Sequence, residues 1–543
     1  MHVIGIFALV AGAVLLTALC RRRGWPAPLV LVAAGLLASY VPGVPRFEVD
    51  PELILDFLLP PLLYSAAIAA SYQDFRRSLN SITRLGVGLV VVSALAVAVV
   101  AWLLAPALPF AAALVLGAVV APPDAVAATA VGRRLGLPRR VMTVLTGESL
   151  INDATSLTLY KVALAGVATG AWSLSEGLRV FAVAVVAGVG VGLALGWVLH
   201  RLRMRLDDPV VASAISVLTP FAAYWGAEAV GGSGVLAVVA AGLLLAHTSP
   251  RAGYATRLYQ EPVWSTVDLL LEAFTFALIG VQLKWLIADV DSSDQGLGHA
   301  ALIALAVLAV VMLVRPVYIL ATAGLDRVRL PGSHRTAGDA LTTRESMVVS
   351  WAGMRGVVTL AAAAAIPTVM AGAAFPERAT LQLVAYAVAI GTLLLQGLTL
   401  PWVIRRLDVG SGSEQRRDAI QEAQVRMATA EAAQQVIARR RPEIAAQLGE
   451  DRADQVIATV VTALDARGRA AAALLDPDRA VEGASRWPGR RVQALRGEVI
   501  AAQREVLVER RDSGQLDEAV MQRVLRELDL EEERISASWV TRL

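Results

Sequence analysis

Thirteen apolar runs, each long enough to cross a bilayer, constrain this chain more than any other feature. They lie near residues 3–20, 25–41, 52–70, 85–105, 109–132, 141–168, 177–199, 209–229, 231–248, 264–288, 300–323, 344–370 and 379–404. A membrane-spanning helix needs about 20 mostly apolar residues, and backbone inside hydrocarbon must satisfy its own hydrogen bonds. The expected fold is therefore all-α: a polytopic membrane protein of about 13 transmembrane helices over residues 1–404. Charge is spread to match. Of 49 + 46 = 95 charged residues in 543, 47 follow Ile404, so residues 405–543 are expected to form a separate, cytosolic helical domain. Only 17% of the chain is charged, against roughly 25% in soluble domains, which argues against a soluble enzyme. A net charge of +3 is too small for a nucleic-acid binder. The lone Cys20 excludes an internal disulfide or a cysteine metal cage, and five scattered histidines leave no cofactor to expect.

The loops supply an orientation. Those after odd-numbered runs carry Arg21–Arg23, Arg76, Arg77, Arg133, Arg134, Arg139, Arg140, Arg201, Arg203, Arg205, Arg251, Arg257, Arg327, Arg329 and Arg335. The alternate loops hold little beyond Arg46 and Arg378, and one carries Asp289, Asp291 and Asp294. Basic loops stay cytoplasmic, so the N-terminus is predicted outside and the C-terminus inside, in the plasma membrane. The first run has its arginines after it rather than before it, which reads as a retained span, not a signal peptide. Beyond the membrane part, Asp418–Arg440 and Gln515–Arg534 have helical periodicity, with breaks expected at Gly410–Gly412 and near Pro477 and Pro488. A domain that packs on itself is the plainer reading of this tail; a regulatory or dimerising role is the alternative.

Ionisable residues inside a span are functional candidates by default. In the sixth run, Gly147-Glu148-Ser149-Leu150-Ile151-Asn152-Asp153-Ala154 places Asp153 about 18 Å deep, counting twelve residues at about 1.5 Å each. Ser149 and Asp153 lie four apart and face the same way, with Glu148 and Asn152 as a neighbouring pair. A carboxylate and a hydroxyl one turn apart suit a small cation or a proton; the alternative is a polar seam between helices. In the fifth run, Ala121-Pro122-Pro123-Asp124 removes two backbone donors. Such a break needs a cavity or protein around it, and Asp124 there is expected first as a cap for free N–H groups. The twelfth run holds Gly353-Met354-Arg355-Gly356, a mid-span arginine that needs an acidic partner. Two interrupted spans seven apart in order point to an inverted repeat and a transport site at their crossing.

Lys161 reads either as an interior partner or as a residue that snorkels outward. Arg315 needs a buried acid, while Glu228, Lys284 and His247 read as span-end residues. Gly231-Gly232-Ser233-Gly234 lacks the lysine of a phosphate loop and reads as close helix packing.

Together, the sixth-run motif, Asp124-Ala125-Val126-Ala127, Leu59-Pro60-Pro61-Leu62-Leu63-Tyr64 and Gly353-Met354-Arg355-Gly356 resemble the monovalent cation/proton antiporters of the sodium/proton exchanger type. The resemblance covers roughly residues 1–404. It implies that Asp153 binds the cation (Na⁺) and the proton in turn. Ser149, Asn152, Asp124 and Pro123 belong to the same site, and Glu148 and Arg355 form a structural ion pair. Asn152 corresponds to the electroneutral form of the motif. Ser65 stands where relatives often have an acid, and Pro123 where many have threonine. A homodimer is also implied.

The resulting expectation is a secondary antiporter, not an enzyme, exchanging Na⁺ for H⁺ by competition at Asp153 and driven by ion gradients alone. A K⁺/H⁺ or non-selective exchanger is the close alternative. A channel or membrane sensor is the distant one, and the sequence lacks the continuous polar lining of a channel.

Overall fold

The computed structural model describes residues 2–42, 51–170, 174–206, 208–249, 254–292, 296–327, 341–409 and 434–458 (except 448 and 456), with 503, 528 and 530. The chain divides into two units, Met1–Ser411 and Gly412–Leu543.

The first unit is mainly helical among its described residues. In order it comprises α1 (His2–Arg23), α2 (Ala27–Ala38), α3 (Pro51–Ala69), α4 (Tyr72–Arg77), α5 (Leu79–Thr83), α6 (Val90–Leu104), α7 (Phe110–Val120), α8 (Ala125–Leu135) and α9 (Arg139–Thr169). It continues with α10 (Leu174–Arg203), α11 (Pro209–Glu228), α12 (Gly234–Thr248), α13 (Tyr254–Asp291), α14 (Gly296–Arg327), α15 (Thr343–Trp351), α16 (Val357–Ala364), α17 (Arg378–Thr392) and α18 (Leu398–Leu407). Wider π turns at Arg84–Leu89 and Leu393–Gly397 join α5 to α6 and α17 to α18. Among the described residues, seven helical stretches are long and apolar enough to cross a membrane, and four apolar helices are shorter.

Two expected runs are each divided into half-helices. α7 stops at Val120 because Pro122 and Pro123 offer no N–H to the turn before them, and α8 starts at Ala125. α15 stops at Trp351, and α16 starts after Gly356. The twelfth run also ends sooner than expected. Its helix closes at Ala364, just before Ile366-Pro367, where a proline disfavours helix in the residue ahead of it. A two-residue hairpin follows, Val369–Met370 against Ala373–Ala374, turning through Ala371 and Gly372 at positive φ. At the end of the unit, α18 carries the helix past Ile404 to Leu407.

The half-helices lie at the centre. Every residue of α7 from Ala111 to Val120 is buried, as are seven of the eight residues of α16. α7 packs on α6 and α9, and α16 on α17, α3 and α13. Small residues allow these contacts, as expected where lipid gives little hydrophobic drive for helices to associate. A side chain at Gly117 would strike the Ala94 carbonyl, and one at Gly35 would meet the Gly280 Cα at 3.0 Å.

In the second unit, residues 434–447 and 450–455 are helical. Arg441 pairs there with Glu450 at 3.1 Å and Asp454 at 2.9 Å. The expected helix Gln515–Arg534, all but 434–440 of Asp418–Arg440, and the breaks at Gly410–Gly412, Pro477 and Pro488 lie outside the described residues. So do Arg46, Arg251, Asp294, Arg329 and Arg335.

Candidate functional site

The site forms where the two interrupted passages meet. Without Pro122 and Pro123 as donors, the last carbonyls of α7 have lost their usual i+4 partners, and a buried carbonyl left unpaired is costly. Each described partner comes from another element. Ser156 of α9 donates to the Ala118 carbonyl at 2.7 Å. Arg355 donates through Nε to the Val120 carbonyl at 2.8 Å and through Nη2 to that of Ala121 at 3.0 Å. Asn152 donates through Nδ2 to the Pro123 carbonyl at 2.7 Å. The Asp124 N–H, which would ordinarily close the turn on Val120, goes instead to the Met354 carbonyl at 2.6 Å. Each break thus satisfies the other.

Asp124 does act as a cap, but across the crossing: its Oδ2 accepts from the Val357 N–H, the first of α16, at 3.3 Å. Gly356 makes this approach possible, because a Cβ there would overlap the Asp124 carboxylate.

The expected pair Glu148–Arg355 is not formed. Glu148 is held instead by Arg315 of α14, in a two-pronged pairing. Nη1 donates to Oε1, and Nη2 donates to Oε2 at 2.8 Å. Arg315 Nε also donates to the Val349 carbonyl at 2.9 Å, so the acid that Arg315 requires is Glu148. The physical reason is that the Arg355 guanidinium is already engaged by the carbonyls of Val120, Ala121 and Gly353. Its own N–H donates to Thr392 at 3.0 Å. Gly353 lets the two arginines lie side by side, since a Cβ there would meet the Arg315 chain at 2.6 Å and Arg355 Nη1 at 3.3 Å.

Asp153, Ser149 and Asp124 line one cavity of about 800 Å³. Asp153 is buried, and among the described residues no hydrogen bond or ion pair engages its carboxylate. Asn152 and Pro123, expected as cation contacts, are not on the cavity wall. They are bonded to one another behind it, so Asn152 positions the break. Ser65 lines the cavity and donates to the Asp268 carboxylate of α13. Lys161 lies elsewhere, paired with Glu228 of α11 at 2.6 Å, with about half its side chain exposed.

Asp268 and Glu272, also on the cavity wall, are missed by a sequence reading confined to three runs. The signal was present: both are acids inside the apolar run 264–288, four residues apart, and therefore on one helix face. Ser156 and Thr392 carried no such signal, because a hydroxyl that repairs a distant break looks like any other helical hydroxyl.

Comparisons with known proteins bear on the family and the fold. Residues 6–406 match the family described as "Sodium/hydrogen exchanger, transmembrane". A protein of Mycobacterium tuberculosis named as an uncharacterised Na⁺/H⁺ exchanger is 35% identical over 542 residues, covering 97% of this chain and 95% of its own. A sodium, potassium, lithium and rubidium/H⁺ antiporter of Bacillus pumilus is 30% identical over 70% of this chain and 58% of its own. The fold is similar to that of the sodium proton antiporter MjNhaP1 from Methanocaldococcus jannaschii, with a TM-score of 0.61 at 17% identity over 75% of this chain and 98% of that one.

Proposed function

This chain belongs to the sodium/hydrogen exchanger family, and from that premise we propose that it exchanges Na⁺ for H⁺ across the plasma membrane by competition for the Asp153 carboxylate. One observation carries the reading. Asp153 is buried beside a cavity with no donor or basic side chain among the described residues bonded to it, whereas the nearby charged groups Glu148, Arg315 and Arg355 are all engaged. An unpaired buried carboxylate is too costly to persist. It must take either a proton or a cation, and one carboxylate cannot hold both. Ser149, one turn away on the same wall, adds an oxygen for a bare cation.

Competition couples the two fluxes without a second substrate site. With the cavity facing the cytoplasm Na⁺ displaces the proton; facing outside, a proton displaces Na⁺. Electroneutral one-for-one exchange follows if Asp153 is the only group that changes its load, and Asn152, neutral and bonded to Pro123, adds no second charge. The cavity wall includes Arg133, at the end of α8. Arginines also end α1, α4 and α10, and the bias of such residues to the cytoplasm supports an inward-facing arrangement. No cofactor enters this scheme.

The name of the Bacillus pumilus relative favours a second reading of the cation: K⁺, Li⁺ or several monovalent ions at the same carboxylate. The test is proton flux in proteoliposomes loaded with a pH dye, with Na⁺, Li⁺ and K⁺ added separately to wild type and Asp153→Asn. A pH gradient collapsed by Na⁺ in wild type alone supports the proposal, and the ranking of the three ions settles which reading of the cation holds. An Asp153→Asn variant as active as wild type overturns the site.

A further inference from the structure

Part of the cavity wall belongs to α13, and its chemistry is unused by the exchange described above. Glu261, Asp268 and Glu272 all line the cavity. Spaced by seven and then four residues, they form one stripe along the helix, with rises of about 10 Å and 6 Å between them. Glu261 is exposed, whereas Asp268 and Glu272 are partly buried, so the stripe leads from solvent inward. Its inner end shares the cavity with Asp124 and Asp153. Arg133 is the only basic residue among the described residues lining the cavity.

Asp268 is the odd member. One carboxylate oxygen accepts from the Ser65 hydroxyl of α3. The other, Oδ1, is shut off from solvent and has no hydrogen-bond partner. Glu272, one turn deeper, has no hydrogen bond among the described residues. A buried carboxylate oxygen without a donor is a costly arrangement. Asp268 and Glu272, four residues apart on one helix face and both lining the cavity, form a hard-oxygen place for a positive ion.

We propose that Asp268, oriented by Ser65, is a second cation-binding carboxylate that receives a monovalent cation on its way to Asp153 and so sets the affinity of the exchanger. The proposal rests on the antiport reading above. Ser65 fixes the orientation of the Asp268 carboxylate, whose second oxygen has no hydrogen-bond partner. Glu272 extends the negative wall toward Asp124, and a cleft lined by one sign of charge concentrates its counter-ion about tenfold or more.

The test is equilibrium binding of ²²Na⁺ to the full-length protein in detergent, with exchange measured in parallel in proteoliposomes. Asp268→Asn is expected to raise the Na⁺ Kd, and the KM for exchange, about tenfold, leaving kcat near wild type. Asp153→Asn should abolish exchange altogether. The double variant Ser65→Asp/Asp268→Asn moves the carboxylate across its own hydrogen bond, and it should recover most of the lost affinity. That recovery also guards against misfolding of the single variant. Unchanged Na⁺ affinity in a monodisperse Asp268→Asn protein overturns the proposal, as does a wild type that binds no Na⁺. Wild-type protein that binds Na⁺ with the Asp268 dependence intact but exchanges no protons overturns the antiport reading alone.

Discussion

Arg355 Nε lies 2.8 Å from the carbonyl oxygen of Val120, a residue 235 positions away in the chain. The contact defines the core of this protein: an arginine released by one broken passage repairs the break in the other. Its guanidinium is planar and forked, so it can reach Val120, Ala121 and Gly353 together. A lysine has a single point of charge and cannot cover that geometry. Arg355→Lys should therefore cost about 2–3 kcal/mol, despite conserving charge, read as a lowered Tm in detergent. A Tm equal to wild type would show that water or lipid serves these carbonyls as well.

The ion pair of the core is Glu148–Arg315, and it is testable against Glu148–Arg355 by double-mutant cycles. Removing either Glu148 or Arg315 strands a buried charge and should cost about 3–5 kcal/mol. Removing both should cost clearly less than the sum, with a coupling above about 1 kcal/mol. The same cycle on Glu148 and Arg355 should show the smaller coupling.

At Gly356 the space for a Cβ is occupied by the Asp124 carboxylate. Gly356→Ala must push Asp124 off the Val357 N–H, at a cost of about 1–3 kcal/mol. Exchange should be lost even in protein that still folds. Retention of wild-type transport by this variant would mean that the cap on α16 is dispensable.

Asp153→Asn should separate activity from stability. The substitution removes a buried charge that no donor offsets, so the variant should melt no lower than wild type while exchanging nothing. A melting point several degrees below wild type would identify Asp153 as a structural group.

Competition for one carboxylate also fixes the sign of the pH dependence. A cation needs the deprotonated form, so acidification should raise the KM for Na⁺, by up to about tenfold per pH unit where the proton dominates occupancy. The maximal rate at saturating Na⁺ should change little over the same range. Initial rates across a Na⁺ series at each pH provide the measurement, and a KM that is flat while kcat falls would exclude simple competition.

The apolar runs, the acids within them and the order of the motifs were legible from the residues alone, because hydrocarbon imposes its demands on each segment separately. Asp153 and Ser149 on one wall follow from helical spacing, and the same reasoning applied to the run 264–288 would have found Asp268 and Glu272. What each group touches was not legible. Pro60-Pro61 and Pro122-Pro123 are the same dipeptide inside similar runs, yet α3 continues unbroken from Pro51 to Ala69 while α7 ends at Val120. At the second pair, the carbonyls and N–H groups find partners on Ser156, Met354, Arg355 and Asn152, two of them far along the chain. The same holds for the acid that balances an arginine. Glu148 is within reach of either cation by sequence logic, and the choice of Arg315 depends on Arg355 being engaged by the broken end of α7. A single segment determines whether it can enter a membrane; only the packed tertiary structure can decide which distant group satisfies each polar atom it buries there.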